Sequence, residues 1–266
     1  MKGTILEKIV ESKRLRVDAA KAVVDMAELT DRAAAAHAGR RPHRLRDALA
    51  NKAMVNIIAE FKKASPSKGV IDDSRRPAEI AKQYEAGGAV AVSVLTEEDH
   101  FAGSLSDLEA VRAAVRLPIL RKDFIFDPFQ IYEAAAAGAD AILLIAAMLD
   151  DSQLLDLEAL AEDELGMDAL IEVHTLDELK RIKDSGAKLI GVNNRDLRSF
   201  EVSLEVSREL IAHASAGSLL VAESGLAAAQ DISELRDLGY SGFLVGESLM
   251  RSGDPEGELR RLRGQS

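Results

Sequence analysis

After residue 50 the chain repeats one unit eight times: a short run rich in Val, Ile and Leu, a polar turn, and an amphipathic stretch. Apolar runs of this length bounded by turn residues read as buried strands, and the patterning between them reads as helix. The runs are VNIIAEFK from Val55, AVAVSVLT from Ala89, PILRKDF from Pro118, AILLIAAML from Ala141, DALIEVH from Asp168, LIGVNN from Leu189, SLLVAES from Ser218 and GFLVGES from Gly242, with starts 21 to 34 residues apart. Eight apolar strands, each followed by a helix, favour a parallel sheet closed on itself, because closure removes both unpaired edges. The expected fold is therefore α/β, a (β/α)8 or TIM barrel; a doubly wound open sheet is the alternative.

Helix punctuation agrees with the repeat. Pro77 opens PAEIAKQYEAGG, Asp127-Pro128 opens DPFQIYEAAAAG, and Gly87, Gly138, Gly166, Gly186 and Gly239 stand where helices should stop. Residues 1–50 lie outside the repeat and read as mostly helical, with Ile5, Ile9 and a Val23, Val24, Met26, Leu29 group as apolar faces. They are expected to form an N-terminal helical extension covering one end of a barrel that occupies residues 51–266. A chain of 266 residues, 47% hydrophobic, has room for one large core or two small ones, and the repeat decides for a single domain.

The absence of cysteine excludes a disulfide scaffold, a thiolate metal site and a cysteine nucleophile, and fits the cytoplasm. The N-terminus MKGTILEKIVESKR lacks the apolar stretch of a leader, and the apolar run 141–149 is too short to span a bilayer, so no membrane partner is expected. A formal net charge of -11 speaks against a general nucleic-acid binder, since a phosphate backbone demands a basic surface. One basic cluster, Arg40, Arg41, His43, Arg44 and Arg46, stands out, and it reads as a solvated connector.

In a barrel of this kind the chemistry gathers where the strands end. The stretch LPILRKDFIFDP (117–128) runs an apolar strand straight into Lys122 and Asp123, and an ammonium is seldom left in a core without a functional or paired reason. The other ends carry Glu60 and Lys62, with Ser65 and Lys68 in the loop beyond; Thr96 and Glu97; Glu172; Asn193 and Arg195; Glu223 and Ser224; and Gly246 and Glu247. The fourth run has nothing ionisable before Asp150, which predicts an apolar wall there. Acids and bases beside Phe101, Phe124 and Leu144 suit a ligand with an aromatic part and a charged part. Ser224-Gly225 and Gly246-Glu247-Ser248 place small residues where helices begin, which leaves backbone N–H groups for a phosphate. The histidines are scattered without HxH or HExxH spacing, so no metal is expected, and no G-x-S-x-G elbow surrounds a serine. His174 alternates with Glu172 and is expected to point away from the interior in a structural role.

Taken together, IAEFKKASPSKG, SVLTEEDHFAGS, LPILRKDFI, LIEVHT, IGVNNRDL, VAESG and FLVGESLM resemble the indole-3-glycerol phosphate synthase family, in order and over nearly the whole chain. The resemblance implies a (β/α)8 barrel with an extra N-terminal helical segment. It also implies a carboxy-lyase of tryptophan biosynthesis that converts 1-(2-carboxyphenylamino)-1-deoxyribulose 5-phosphate to indole-3-glycerol phosphate, releasing carbon dioxide and water without a cofactor. By position in the motifs, Lys122 would be the general acid, Glu172 the proton acceptor during dehydration, Lys62 the holder of the substrate carboxylate and Glu60 the group that tunes the lysines. Asn193 and Arg195 would contact sugar hydroxyls or carboxylate, Phe101 and Phe124 the anthranilate ring, and Ser65, Ser224, Gly225, Gly246 and the Glu247 backbone the phosphate, with Glu223 among the substrate contacts.

Lys62 and partial burial are expected to lower the pKa of Lys122 toward neutrality; the competing reading of Lys122 is a structural ion pair with Glu172 or Glu60. The family's pattern would put an aromatic near Leu45, so how this segment packs over the pocket is left open, and the polar loop holding SPSKG could close over the substrate. The implied partner is a small phosphorylated aromatic substrate, met by a monomer or at most a weak homodimer. A sister isomerase of the same pathway is disfavoured by the KDF, IEV and NNRD set. A catalytically silent phosphate-binding barrel with a regulatory role is disfavoured because Lys122, Glu172, Lys62, Glu60 and Asn193 are all present.

Overall fold

The computed structural model describes residues 4–183, 186–215 and 217–265. Eight strands, β1 (Ile57–Phe61), β2 (Ala91–Leu95), β3 (Ile119–Lys122), β4 (Ala141–Ile145), β5 (Asp168–Val173), β6 (Leu189–Asn193), β7 (Leu219–Glu223) and β8 (Gly242–Val245), form a closed barrel. Each pairs in parallel with its neighbours in sequence, and β8 returns to β1 through Ile57↔Phe243, so the open sheet is set aside. Every apolar run contains one strand, and each strand is shorter than its run because the flanking residues turn into loops.

Three helices precede the barrel, α1 (Ile5–Lys21), α2 (Met26–His37) and α3 (Arg44–Leu49). Around it lie α4 (Pro77–Ala86), α5 (Leu105–Ala114), α6 (Pro128–Ala136), α7 (Asp151–Ala159), α8 (Leu176–Lys183), α9 (Glu205–Leu210), α10 (Ala229–Leu238), α11 (Glu247–Arg251) and α12 (Pro255–Leu262). Among the described residues, none of these is long and apolar enough to cross a membrane. The start of α6 shows how local chemistry sets a boundary. Asp127 Oδ1 accepts from Phe129 N at 2.9 Å, Gln130 Oε1 accepts from Asp127 N at 3.2 Å, and Pro128 occupies the first turn, where no N–H is missed.

Strand alternation sorts the apolar side chains into two layers. Ile57, Ala59, Val92, Ile119, Ile142, Ile171 and Ile190 face the helices. Ile58, Ala91, Leu120, Leu143, Leu170, Leu189, Val221 and Leu244 fill the barrel, joined from outside by Leu45 and Leu49 of α3. Both leucines are wholly buried, worth about 1.5–3 kcal/mol each by area. The helix is held there by the first residue of β5, whose carboxylate accepts from Leu45 N at 2.9 Å and Arg46 N at 3.0 Å, so Asp168 serves two helix N-terminal donors that α3 cannot satisfy itself.

Leu45 therefore sits at the N-terminal end of the barrel, which settles the packing that the sequence left open: this part of the segment plugs the end opposite the strand C-termini. The preceding helices lie along α6, where Val17, Leu29 and Phe129 form a cluster of their own. Lys13 of α1 reaches the other end, with Nζ 3.0 Å from Asp123 and 2.5 Å from Glu98.

Candidate active site

Two residues beyond each of four interior apolar side chains, Ile58, Leu120, Leu170 and Val221, stand Glu60, Lys122, Glu172 and Glu223. The step of two keeps them on the inside of the barrel while the strand carries them to its C-terminal end. On β4 the same step gives Ile145, the apolar wall expected on that side. On β6 it gives Gly191 and then Asn193, which pair in register with Glu172 and Glu223 respectively. A Cβ at Gly191 would run into Glu223 Oε1, and one at Gly246 would lie 2.6 Å from Glu60 Oε1. Glycine at these two positions makes room for two carboxyl groups.

The charges meet at Lys122. Its Nζ donates to Glu172 Oε2 at 2.8 Å and lies 3.3 Å from Glu223 Oε2. Burial disfavours the ammonium, but Glu172, Glu223 and Glu60 outweigh it and hold Lys122 above the ordinary lysine range. This corrects the expected lowering. Lys62 exerts no such effect because its own Nζ is engaged 2.7 Å from Glu60 Oε1.

The two acids beside Lys122 diverge. Burial opposes the charge on Glu172, yet Lys122 and His174 hold it below the usual carboxylate range. Burial pushes Glu223 up to about 8, with the adjacent Glu172 adding to the shift and Lys122 offsetting part of it. Two carboxyls in contact with one ammonium are thus pushed in opposite directions, Glu172 down and Glu223 up.

The remaining groups surround this centre. Phe101 and Phe124 approach to 6.1 Å between ring centroids, tilted by 41°. The loop carrying Phe101 is held by buried Glu97, whose carboxylate accepts from Asp99 N, His100 N and Phe101 N. Asp123 does not join the site. It points outward to Arg121, Thr96 and Lys13, so it ties the end of β3 to α1.

At the far side, Ser224 and Gly225 take left-handed φ values of 64° and 80°, which turns the chain sharply after Glu223. Gly246 precedes α11, and the carboxylate of Glu247 is turned toward Lys68 at 3.8 Å and Arg251 at 3.2 Å. Ser65 lies in a small antiparallel hairpin in which it pairs with Gly69. Asn193 Oδ1 accepts from Arg195 N at 3.0 Å, and the Arg195 guanidinium donates to Phe200 O within its own loop. Asn194, by contrast, is structural: it donates to Glu223 O and accepts from Ser207.

Residues 6–262 match the indole-3-glycerol phosphate synthase family. Proteins named indole-3-glycerol phosphate synthase are similar over almost their whole length. The one from Carboxydothermus hydrogenoformans is 48% identical, covering 97% of this chain and 98% of its own, and the one from Rhizorhabdus wittichii is 49% identical, covering 97% of both. The chain belongs to the indole-3-glycerol phosphate synthase family. Solved structures extend the likeness to fold alone. A thiamine phosphate pyrophosphorylase from Pyrococcus furiosus superposes with a TM-score of 0.60 at 17% identity, covering 83% of this chain and 96% of that one.

One group at this synthase-family site runs against the sequence reading. His174 was expected to face outward; its Nε2 instead lies 3.2 Å from Glu172 Oε1, and Nδ1 is 3.5 Å from Glu178 Oε2. The outward expectation runs against the strand's own period of two, which puts Glu172 and His174 on one face, and β5 ends between them at Val173. Burial lowers the imidazole's pKa, but the facing carboxylates of Glu172 and Glu178 prevail and raise it to about 9. Ser248, the last residue of the Gly246-Glu247-Ser248 turn, has a buried Oγ with no hydrogen-bond partner among the described residues.

Proposed function

We propose that the groups around Lys122 carry out the synthase reaction: ring closure, decarboxylation and dehydration of 1-(2-carboxyphenylamino)-1-deoxyribulose 5-phosphate to indole-3-glycerol phosphate. The observation that carries this reading is the Lys122 ammonium fixed between Glu172 at 2.8 Å and Glu223 at 3.3 Å at the mouth of the barrel. As the ring carbon bearing the carboxylate bonds to the ketone carbon, negative charge develops on the ketone oxygen, and a fixed ammonium stabilises it. An alkoxide is a stronger base than an amine. A raised pKa on Lys122 therefore keeps the proton in place across the neutral range without preventing its transfer to that oxygen.

Carbon dioxide then leaves, and the electron pair of the broken bond returns to the ring. In the last step the new hydroxyl departs as water with a proton from Lys122, which has regained one from solvent, while Glu172 accepts the proton lost from the five-membered ring. Glu223, its pKa pushed up by burial, would hydrogen-bond to substrate oxygen when it carries a proton. Lys62, with Glu60 as its counter-ion at 2.7 Å, would receive the substrate carboxylate before it leaves. Phe101 and Phe124 would flank the aromatic ring, and the turns at Ser224-Gly225 and Gly246-Glu247, with Ser65 across the mouth, would take the phosphate. A chain without cysteine suits such work in the reducing cytoplasm.

The test is the rise in indole fluorescence when the purified protein meets this substrate with no added metal. A rise with the wild-type chain supports the reading. Saturable substrate binding with no rise would overturn it in favour of a silent barrel.

A further inference from the structure

The basic cluster of residues 40–46 does not behave as one connector. His43 and Arg46 turn to Asp168 and Glu162, with Arg46 Nε 3.1 Å from Asp168 Oδ1 and Nη2 3.2 Å from Glu162 Oε2. Arg40, Arg41 and Arg44 turn the other way, and there they meet Arg112 and Arg116 at the end of α5. The five guanidinium side chains line a cavity of about 500 Å³ whose remaining wall is the backbone and small side chains of 113–115. This cavity lies at the N-terminal end of the barrel: Asp140 immediately precedes β4, and Arg116 lies just before β3. The Lys122 site is at the opposite end of the same strands.

Three of the arginines, Arg40, Arg44 and Arg112, are held in place. Arg44 Nη1 is 2.6 Å from Asp140 Oδ1, Arg112 Nη1 is 2.9 Å from Asp140 Oδ2, and Arg40 Nη1 stands 3.7 Å from the same carboxylate. Backbone carbonyls fix them further: Arg40 donates to Gly138 O, Arg44 to Arg116 O and Arg112 to Val115 O. The acids nearby do not balance them. Besides buried Asp140 there are Asp47, 3.0 Å from Arg41, and Glu85, which accepts from Arg116 N at 3.2 Å; none of the three lines the cavity. Five guanidiniums thus face three carboxylates in a protein whose net charge is -11. Crowding leaves its mark on Arg112, whose pKa is lowered by burial and further by Arg44 and Arg40, with Asp140 offsetting only part.

We propose that this groove is a second anion site, built for a compact anion bearing two or more phosphate groups. Guanidiniums pair with phosphate oxygens, and Arg41 and Arg116 can reach an anion beside three fixed guanidiniums whose excess charge draws it in, which suits several phosphates at once. The volume is that of a small-molecule site, and the lining has no aromatic side chain on which a nucleotide base could stack. The site shares no residue with the Lys122 centre. Occupancy there would stabilise the folded barrel by mass action without entering the reaction.

Calorimetric titration of the full chain with tripolyphosphate and with orthophosphate, at matched ionic strength, tests this. The comparison variant is Arg41→Glu/Arg116→Glu, which leaves the three arginines around Asp140 untouched; a thermal melt and turnover measured on it verify that fold and basal activity persist. The expected result is single-site binding of tripolyphosphate, tighter than orthophosphate and weakened by at least about tenfold in the variant, the loss of one or more charge-assisted contacts. Undiminished binding in the variant would place the anion elsewhere, at the phosphate turns of the reaction site, and overturn the proposal. So would the absence of any binding heat, or an oligonucleotide that binds more tightly than tripolyphosphate.

Discussion

The two ends of the barrel are made from the same eight strands and differ by a single step along each. At the N-terminal end the interior residues are Ile58, Leu120, Leu170 and Val221, closed off by Leu45 and Leu49. Two residues further on they become Glu60, Lys122, Glu172 and Glu223, all buried or nearly so. The lower layer contributes burial without specificity, since most apolar side chains of similar volume would fill it. The upper layer costs desolvation that only mutual pairing offsets, so each member depends on the identity of its neighbours. Stability is concentrated at one end and chemistry at the other, and substitutions should separate them.

Lys122→Ala should have the largest effect. Removing a positioned acid lowers kcat by about 10²–10⁴-fold, with little change in melting temperature, because Glu172 keeps His174 and burial already disfavours the charge on Glu223. Fluorescence turnover beside a thermal melt checks both halves. Near-normal turnover would remove Lys122 from the acid role.

Leu49→Ala is the counterpart at the other end. Truncating a wholly buried leucine of the plug should cost about 2–5 kcal/mol in denaturant unfolding while leaving kcat at 25 °C unchanged. A matching fall in kcat would show that the ends are coupled and break the contrast.

Gly191→Ala probes the junction between layers. The added methyl takes the space of Glu223 Oε1, so Glu223 must move, and kcat should fall by about 10²-fold with KM changing less. Wild-type kcat in a properly folded variant would show that the position of Glu223 does not matter to the reaction.

What could be read before the fold was known follows the same division. The strands and the site carboxylates were legible because both depend on a period of two along one segment, which sequence displays directly. Which groups pair across the barrel was not legible, because pairing depends on strands far apart in the chain. The charge state of Lys122 was therefore misjudged: the sequence places Lys62 two residues from Glu60, yet whether that pair would close on itself or lean toward β3 is a matter of rotamers. The placement of Leu45 was hidden for a related reason, since the group that anchors α3, Asp168, lies 123 residues away. The basic cluster split because its acidic partners come from Asp168, Glu162 and Asp140.

His174 offers the smallest and most discriminating comparison, because it touches the upper layer from just beyond the end of β5. Its pKa is raised from 6.5 to about 9, so the stability it contributes is fully present below the unfolded value and is lost as pH rises through the folded one. Glu172 has the opposite sign: its pKa is lowered, and the stability it contributes exists above 4.5 and is lost as pH falls through the depressed value. The two effects share one contact, 3.2 Å between Nε2 and Oε1. In His174→Gln the carboxylate loses one of two cationic neighbours while Lys122 remains, so its pKa should rise part of the way back. The acid limb of kcat/KM should then move upward by about one pH unit or less, with only a few-fold change at neutral pH. A Glu178→Gln variant, which removes the other carboxylate facing the imidazole, should leave His174 easier to deprotonate and shift the alkaline limb downward instead. If His174 merely packs, its replacement would lower activity by the same factor at every pH, and neither limb would move.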